Sequence, residues 1–387
     1  MKLVKKIFLN SVLSIGAIIL LLYVFNVDYL LRAVKTIYLK GYTTAFLEDY
    51  KEFPNRVITI GTPQPWSISK NYNLVPETPL LTKTHKELQS IAYLIIKNDS
   101  IWHESYFDGF DKNSKTNSFS MAKSIVTIAL GKAIMQGKIK NLDEKVTVFF
   151  PALKGKYANE VTVGDLASMA SGLSWDEKYY SPFSIVTRAY FDDNLNDVIL
   201  DLEINEKPGQ KFKYLSGSTQ LLAMCIEKAT GEKLSTYISK HFWQKMGAEN
   251  EALWQLDDEN GIEKAYCCIA SNARDFARFG KLFLNNGKWN GEQLLDSTFV
   301  EKSITPRFKI SPEYGYGWWM HQFLGKNMFY MRGHLGQFVI VIPEDDLIIV
   351  RLGHLKGVQT SSDPHSDDFY VYVEEAYEML NSKIQTK

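Results

Sequence analysis

Apolar positions divide the chain into a lone apolar run, an irregular stretch, and a long body in which strand and helix periods follow one another. Ile7 to Phe25 is mostly apolar, interrupted by Asn10, Ser11 and Ser14 and preceded by Lys2, Lys5 and Lys6. As a helix, its roughly 19 residues would reach about 28 Å, close to the thickness of a bilayer's hydrocarbon core. No Ala-x-Ala follows, so residues 1–25 are expected to be an uncleaved single-pass anchor in the cell membrane. The three leading lysines place the N-terminus inside and the body on the outer, periplasmic or extracellular, side.

Residues 26–80 read as an aromatic-rich juxtamembrane helix and an extended link carrying Pro63, Pro65, Pro76 and Pro79. In the body, 81–385, Ile91 to Lys97 and Ile101 to Phe107 flank Asn98-Asp99-Ser100 as a hairpin. Ser120 to Met135 is apolar on nearly every side, the mark of a buried helix. Helical patterns recur at Val163 to Ala170, Leu195 to Leu202, Ser218 to Thr230 and Ala273 to Leu284. Strand character returns at Phe329 to Arg332, Phe338 to Ile342 and Leu347 to Leu352, before a last helix at about 366–381. The order predicts an α/β (α+β) class: one sheet assembled from both termini and flanked by helices, with a mostly helical subdomain, about 141–310, inserted between its halves.

The 387 residues, 45% hydrophobic, suffice for a large core. Lys plus Arg (44) balance Asp plus Glu (44), which argues against nucleic acid as a partner. Cys225, Cys267 and Cys268 form neither a disulfide framework nor a zinc spacing, and all three are expected as buried thiols. Without His-Glu-x-x-His or a Cys/His cluster, neither metal nor cofactor is expected. Gly131 to Lys138 is one residue too long for a phosphate loop and is followed by Ile139 instead of Ser or Thr, and no Gly-x-Ser-x-Gly elbow exists.

Ser-x-x-Lys occurs twice. Ser67-Ile68-Ser69-Lys70 lies in the proline-rich link, whereas Ser120-Met121-Ala122-Lys123 opens the buried apolar helix. Residues three apart share a helix face, so Lys123 can reach Ser120. A buried lysine tends to lose its proton, and can then serve as the base that activates a serine hydroxyl. A proton relay is expected from Tyr214, which follows the Pro208-Gly209 turn among lysines expected to lower its pKa. Tyr157-Ala158-Asn159 and Tyr179-Tyr180-Ser181 compete by spelling. In Arg332-Gly333-His334-Leu335-Gly336-Gln337, two glycines permit close backbone approach to a ligand, and on a regular strand Arg332 and His334 would face the same way. An N–H at this strand edge and that of Ser120 could serve a developing oxyanion.

In this order, Ser120-x-x-Lys123, Tyr214-x-Ser216 and His334-x-Gly336 resemble the motif set of serine β-lactamases and penicillin-binding proteins. The resemblance spans about 85–380 and includes Met169-Ala170-Ser171-Gly172-Leu173 and Tyr314-Gly315-Tyr316-Gly317-Trp318-Trp319. It is closest to the class C-like branch of 6-aminohexanoate-dimer hydrolases and esterases, where the tyrosine motif follows a Pro-Gly turn, and this favours Tyr214 over Tyr157 and Tyr179. It implies the β-lactamase/penicillin-binding fold and hydrolysis of a small amide, ester or peptide through an acyl-enzyme on Ser120. Lys123 and Tyr214 would move protons, and the N–H groups of Ser120 and Gln337 would bind the oxyanion.

Ser216 and His334 stand where that superfamily commonly has an asparagine and a lysine, and a histidine, mostly neutral at pH 7, holds a substrate carboxylate less firmly. Efficient β-lactam hydrolysis is therefore not expected. Arg332 could replace the missing cation. Trp175, Tyr179, Tyr180, Trp254, Trp318 and Trp319 fall in segments resembling loops around the family's cleft, with Trp175 and Tyr179 expected at the substrate. Competing functions are a cell-wall D-amino-acid peptidase and a non-catalytic membrane protein that binds peptide or muropeptide.

Overall fold

The computed structural model describes residues 1–360, 363 and 365–382. Side chains of Ser90–Lys97 alternate between two apolar layers, Tyr93 and Ile95 in one and Ala92, Leu94 and Ile96 in the other. Gln337–Ile342 and Leu347–Gly353 divide in the same way. A sheet buried on both faces must be covered on both. Pro79–Glu87 and Asp367–Asn381 cover one face, and Ala273–Leu284 covers the other. Gly280 permits that second approach, since an added Cβ would stand 3.0 Å from Val341 and 3.1 Å from Val339.

Across the sheet the strand order is Trp319–Phe323, Lys326–Gly333, Gln337–Ile342, Leu347–Gly353, Ser90–Lys97 and Ser100–Tyr106, all antiparallel. Ser67–Ile68 adds a short parallel edge, which is where the first Ser-x-x-Lys copy lies, exposed. The two ends of the chain meet along Leu347–Gly353 and Ser90–Lys97, Leu347 opposite Lys97 and Leu352 opposite Ala92. This is the sheet built from both termini.

Between its halves, Ala122–Met135 runs through the centre with every residue from Ala122 to Ala133 buried, as its all-round apolar pattern requires. It packs on Ser216–Thr230, which in turn packs on Val163–Ala167. Ser216–Thr230 ends at Gly231, whose φ of +73° suits a residue without Cβ.

A second sheet orders Asn55–Ile58, Ala252–Gln255, Ile269–Ser271 and Thr116–Asn117. Strands of two to four residues carry too little alternation to be read beforehand. The segment read as helix and link thus contributes a strand here, and its helix Tyr29–Thr36 packs on Ile185–Phe191. Asp49 ties this segment down. Fully buried, its carboxylate accepts from Asn117 Nδ2 (3.0 Å), Gln255 Nε2 (2.9 Å) and the Tyr190 hydroxyl (2.6 Å), while burial pushes its pKa up.

Lys2–Val24 is a helix exposed along nearly its whole length, long and apolar enough to cross a membrane. One expectation about the cysteines is corrected: Cys267 and Cys268 form a disulfide, and only Cys225 is a free buried thiol. Cys268 takes a φ of +78°, a conformation that spacing alone does not reveal.

Asp49→Ala removes the acceptor from three side-chain donors and should lower the unfolding free energy by about 3 kcal/mol or more. Urea unfolding would measure it, and a change under about 1 kcal/mol would mean that other contacts hold the N-terminal segment.

Candidate active site

Thr116–Asn117 delivers the chain to the candidate nucleophile. Ser118 N–H donates to Ile269 O (2.7 Å) and Phe119 N–H to Asn117 Oδ1 (2.8 Å), which hold Phe119 at a φ of +45°. A left-handed backbone is costly for an aromatic residue and persists only where its surroundings enforce it. The turn Phe119–Met121 then sets Ser120 at the head of Ala122–Met135. Gly333 admits the neighbouring strand, because an added Cβ there would lie 2.3 Å from Ser118 O.

One turn on, Lys123 donates from Nζ to Ser120 Oγ (2.9 Å) and to Tyr266 O (2.7 Å). Both acceptors are neutral oxygens. Only 2% of the lysine is exposed, and this burial brings its pKa down to about 8 against the opposing pull of Glu177.

Tyr214 completes the group. Its ring centroid is 5.1 Å from Lys123 Nζ, the ring stacks on Trp319 at 5.6 Å, and Ser120 is near enough to its hydroxyl to lower the phenol's pKa. The expected lowering of its pKa is corrected: burial and the charge of Glu177 push the phenol up, outweighing Ser120 and Arg332. The lysines near it in sequence turn outward, Lys211 and Lys213 pairing with Glu206. Tyr157, a competitor by spelling, packs under Lys156 in the helical insertion.

Glu177 was overlooked by pattern, although it joins several residues that were not. Its carboxylate accepts from Trp175 Nε1 (2.8 Å), from the Ser216 N–H and hydroxyl (3.1 Å to the latter), and from the Tyr179 hydroxyl. The one signal was an acidic residue set between aromatics in Trp175-Asp176-Glu177-Lys178-Tyr179-Tyr180. Gly217 lets the tyrosine segment close on this loop, since a Cβ there would lie 2.5 Å from the Trp175 ring.

Opposite, the expected regular strand breaks. Lys326–Gly333 ends in a turn, His334–Gly336, in which Leu335 has a φ of +63°. Arg332 and His334 therefore do not share a continuing strand face. Arg332 lies over Trp319 at 5.2 Å and donates to Gln359 Oε1 (3.2 Å), whereas His334 enters the site between Tyr179 (stacked, 5.8 Å) and Phe119 (edge-on, 5.6 Å). Burial lowers the His334 pKa to about 4, so the ring is neutral at pH 7.

Gly336 was expected at the substrate but faces the Arg351 guanidinium, 2.6 Å from where its Cβ would be. Arg351, also missed, holds this turn by donating to Leu335 O and Gly336 O, each at 2.9 Å. A charge inside the apolar run Leu347 to Leu352 was its signal. Gln337 begins the next strand, and its side chain donates to His334 O (3.0 Å) and Gly353 O (2.7 Å). Strands on both sides of this turn pack on the turn bearing Ser120.

A cavity of about 340 Å³ opens at Ser120, with Tyr179, Ser216, Tyr266 and His334 in its wall. Trp175 lies behind that wall, through Glu177. Trp254 and Trp318, expected near the cleft, are core residues: Trp254 donates to Lys264 O and Cys267 O, and Trp318 packs on Phe283 and Phe329.

The family described as Beta-lactamase matches residues 80–367. The chain belongs to the beta-lactamase family. A 6-aminohexanoate-dimer hydrolase of Paenarthrobacter ureafaciens is 25% identical over 301 residues, 72% of this chain and 76% of the relative. A Bacillus anthracis protein assigned as a 6-aminohexanoate-dimer hydrolase superposes with a TM-score of 0.69 at 21% identity, over 90% of this chain and 93% of its own. The octameric penicillin-binding protein homologue of Pyrococcus abyssi superposes with a TM-score of 0.59 at 19% identity, over 79% and 77%. The protein is thus a member of a hydrolase family with the β-lactamase fold.

The Lys123 ammonium should titrate near pH 8 in NMR of lysine-labelled protein. Because the Glu177 charge favours the protonated amine, Glu177→Gln should move that midpoint to lower pH; an unchanged or higher midpoint would remove Glu177 from the site's electrostatics.

Proposed function

We propose that this protein is a serine hydrolase that cleaves an amide or ester bond through an acyl-enzyme on Ser120. The observation that carries the reading is a buried lysine 2.9 Å from the Ser120 hydroxyl with its pKa lowered to about 8. Above that pH the amine is neutral and accepts the Ser120 proton as Oγ attacks the carbonyl carbon. The N–H groups of Ser120 and Gln337 take the oxyanion. Tyr214, protonated because its pKa is raised, stands beside Ser120 and hands a proton to the departing oxygen or nitrogen while Lys123 replaces it. Water then attacks the acyl carbonyl by the reverse relay and frees Ser120 with the carboxylic acid.

Substrate preference follows from the walls. Neutral His334 offers no fixed cation to a carboxylate, and Glu177 behind Ser216 and Tyr179 adds a negative field. Both disfavour β-lactams and carboxylate-ended peptides relative to uncharged esters and amides. Lys2–Val24 serves as the membrane anchor, with the catalytic body on the outer side as the leading lysines indicate.

Intact-mass spectrometry after incubation with p-nitrophenyl esters, a 6-aminohexanoate dimer and a penicillin should show an acyl adduct or turnover lost in Ser120→Ala. No adduct and no turnover across the panel, in folded protein, would point to a binding protein. Lys123→Ala should slow acylation by about 10²- to 10⁴-fold and Tyr179→Phe by less than about tenfold. Equal rates for wild type and Lys123→Ala would remove the base.

A further inference from the structure

The cavity at Ser120 does not end at the catalytic group. It continues to the N-terminal segment, where Ala33 and Ile37 form one side and Phe183, Val186 and Phe191 the other. None of the residues lining it is Asp, Glu, Lys or Arg, and the one histidine, His334, is neutral. Its polar lining is limited to hydroxyls such as those of Thr43, Thr44, Ser181 and Thr187; such a channel offers little to a charged group, whereas an alkyl chain that enters it leaves water for a largely apolar wall.

Its mouth has the same character. Val34, Tyr38, Tyr180 and Phe183 line the cavity and are also 44%, 54%, 75% and 71% exposed, so they form an apolar rim. An exposed rim of that kind marks a surface that meets something apolar. The helix carrying Val34 starts at Tyr29, just beyond the membrane-length helix ending at Val24, and Val27 N–H still bonds to Leu22 O (2.9 Å). Four intervening residues span at most about 14 Å, which keeps the mouth close to the bilayer surface.

We propose that the substrate is a membrane-resident amphiphile, an ester or amide of a medium- to long-chain fatty acid, whose acyl chain fills this channel while its carbonyl lies at Ser120. The proposal rests on the Ser120 hydrolase reading and names its substrate class. The Ser120 Oγ–carbon bond forms as the ester C–O or amide C–N bond breaks, and the leaving alcohol or amine takes the proton. Water then cleaves the acyl-enzyme, releasing the fatty acid and restoring the serine. With about 30 Å³ per methylene, a volume close to that of a liquid water molecule, the cavity holds on the order of ten carbons.

The test is a series of p-nitrophenyl esters from acetate to decanoate, turned over by the full chain in bilayer nanodiscs, with Ser120→Ala as background. Each methylene taken from water should raise kcat/KM by roughly fourfold, about 0.8 kcal/mol, until the channel is full. Longer esters also partition into the bilayer, so the deciding quantity is the decanoate-to-acetate ratio in Ala33→Trp, which blocks the channel, relative to wild type. That ratio should fall by at least about tenfold, and it should also fall in Phe183→Asp, a change at an exposed position that spares the core. A decanoyl adduct on Ser120 would place the chain on the acyl side. If acetate is hydrolysed with Ser120 dependence but the wild-type series is flat, or both variants keep the wild-type ratio, the acyl-chain assignment is wrong and the hydrolase reading stands. If no ester is turned over with Ser120 dependence, the hydrolase reading fails and takes this assignment with it.

Discussion

Withdrawing the Lys123 side chain from water beside a serine hydroxyl is the constraint on which the surrounding architecture depends. The fall from 10.5 to about 8 is a bias of about 3 kcal/mol toward the neutral amine. That bias survives only while solvent stays out, which requires a helix buried on all sides and a neutral acceptor, Tyr266 O, at the second amine contact. Glu177 limits the effect from a distance. By holding Ser216, Trp175 and Tyr179 it keeps a negative charge in the site that returns some basicity to the lysine and raises the Tyr214 phenol as well.

Around this pair, close approaches set the geometry. Ser120 is presented by a backbone held at a positive φ on Phe119, and the strand beside it passes Ser118 O only because residue 333 is glycine. The His334–Gly336 turn is fixed from behind by Arg351, whose guanidinium also reaches Ser90 Oγ (3.1 Å) and Leu88 O (2.8 Å). One buried cation thereby links the loop facing Ser120 to the seam where the two ends of the chain meet. Such a network confers position more than stability, since desolvating a guanidinium offsets much of what its bonds contribute.

The N-terminal segment helps line the cavity at Ser120. Asp49, through Asn117, Tyr190 and Gln255, fastens it to the strand that leads into Ser120, and its helix supplies one side of the cavity that opens at Ser120. A membrane-length helix and the cavity at Ser120 are consequently joined through a short stretch of folded chain.

The sequence by itself determined the large elements and the chemistry-bearing residue types. The hairpin around Asn98, the all-round apolar helix after Ser120 and the three strands near the C-terminus are long and periodic, and each formed where its pattern placed it. Ser120 and Lys123 were legible because helical spacing alone puts them on one face. Only the tertiary structure decided what depends on neighbours distant in the chain. It turned the Tyr214 pKa upward, since burial and Glu177 outweigh lysines that are adjacent only in sequence. It broke the strand at His334, directed Gly336 to Arg351, joined Cys267 to Cys268 and folded residues 29–58 into the body. Burial, electrostatic field and left-handed backbone are properties of the assembled surroundings, and periodicity along one segment carries no record of them.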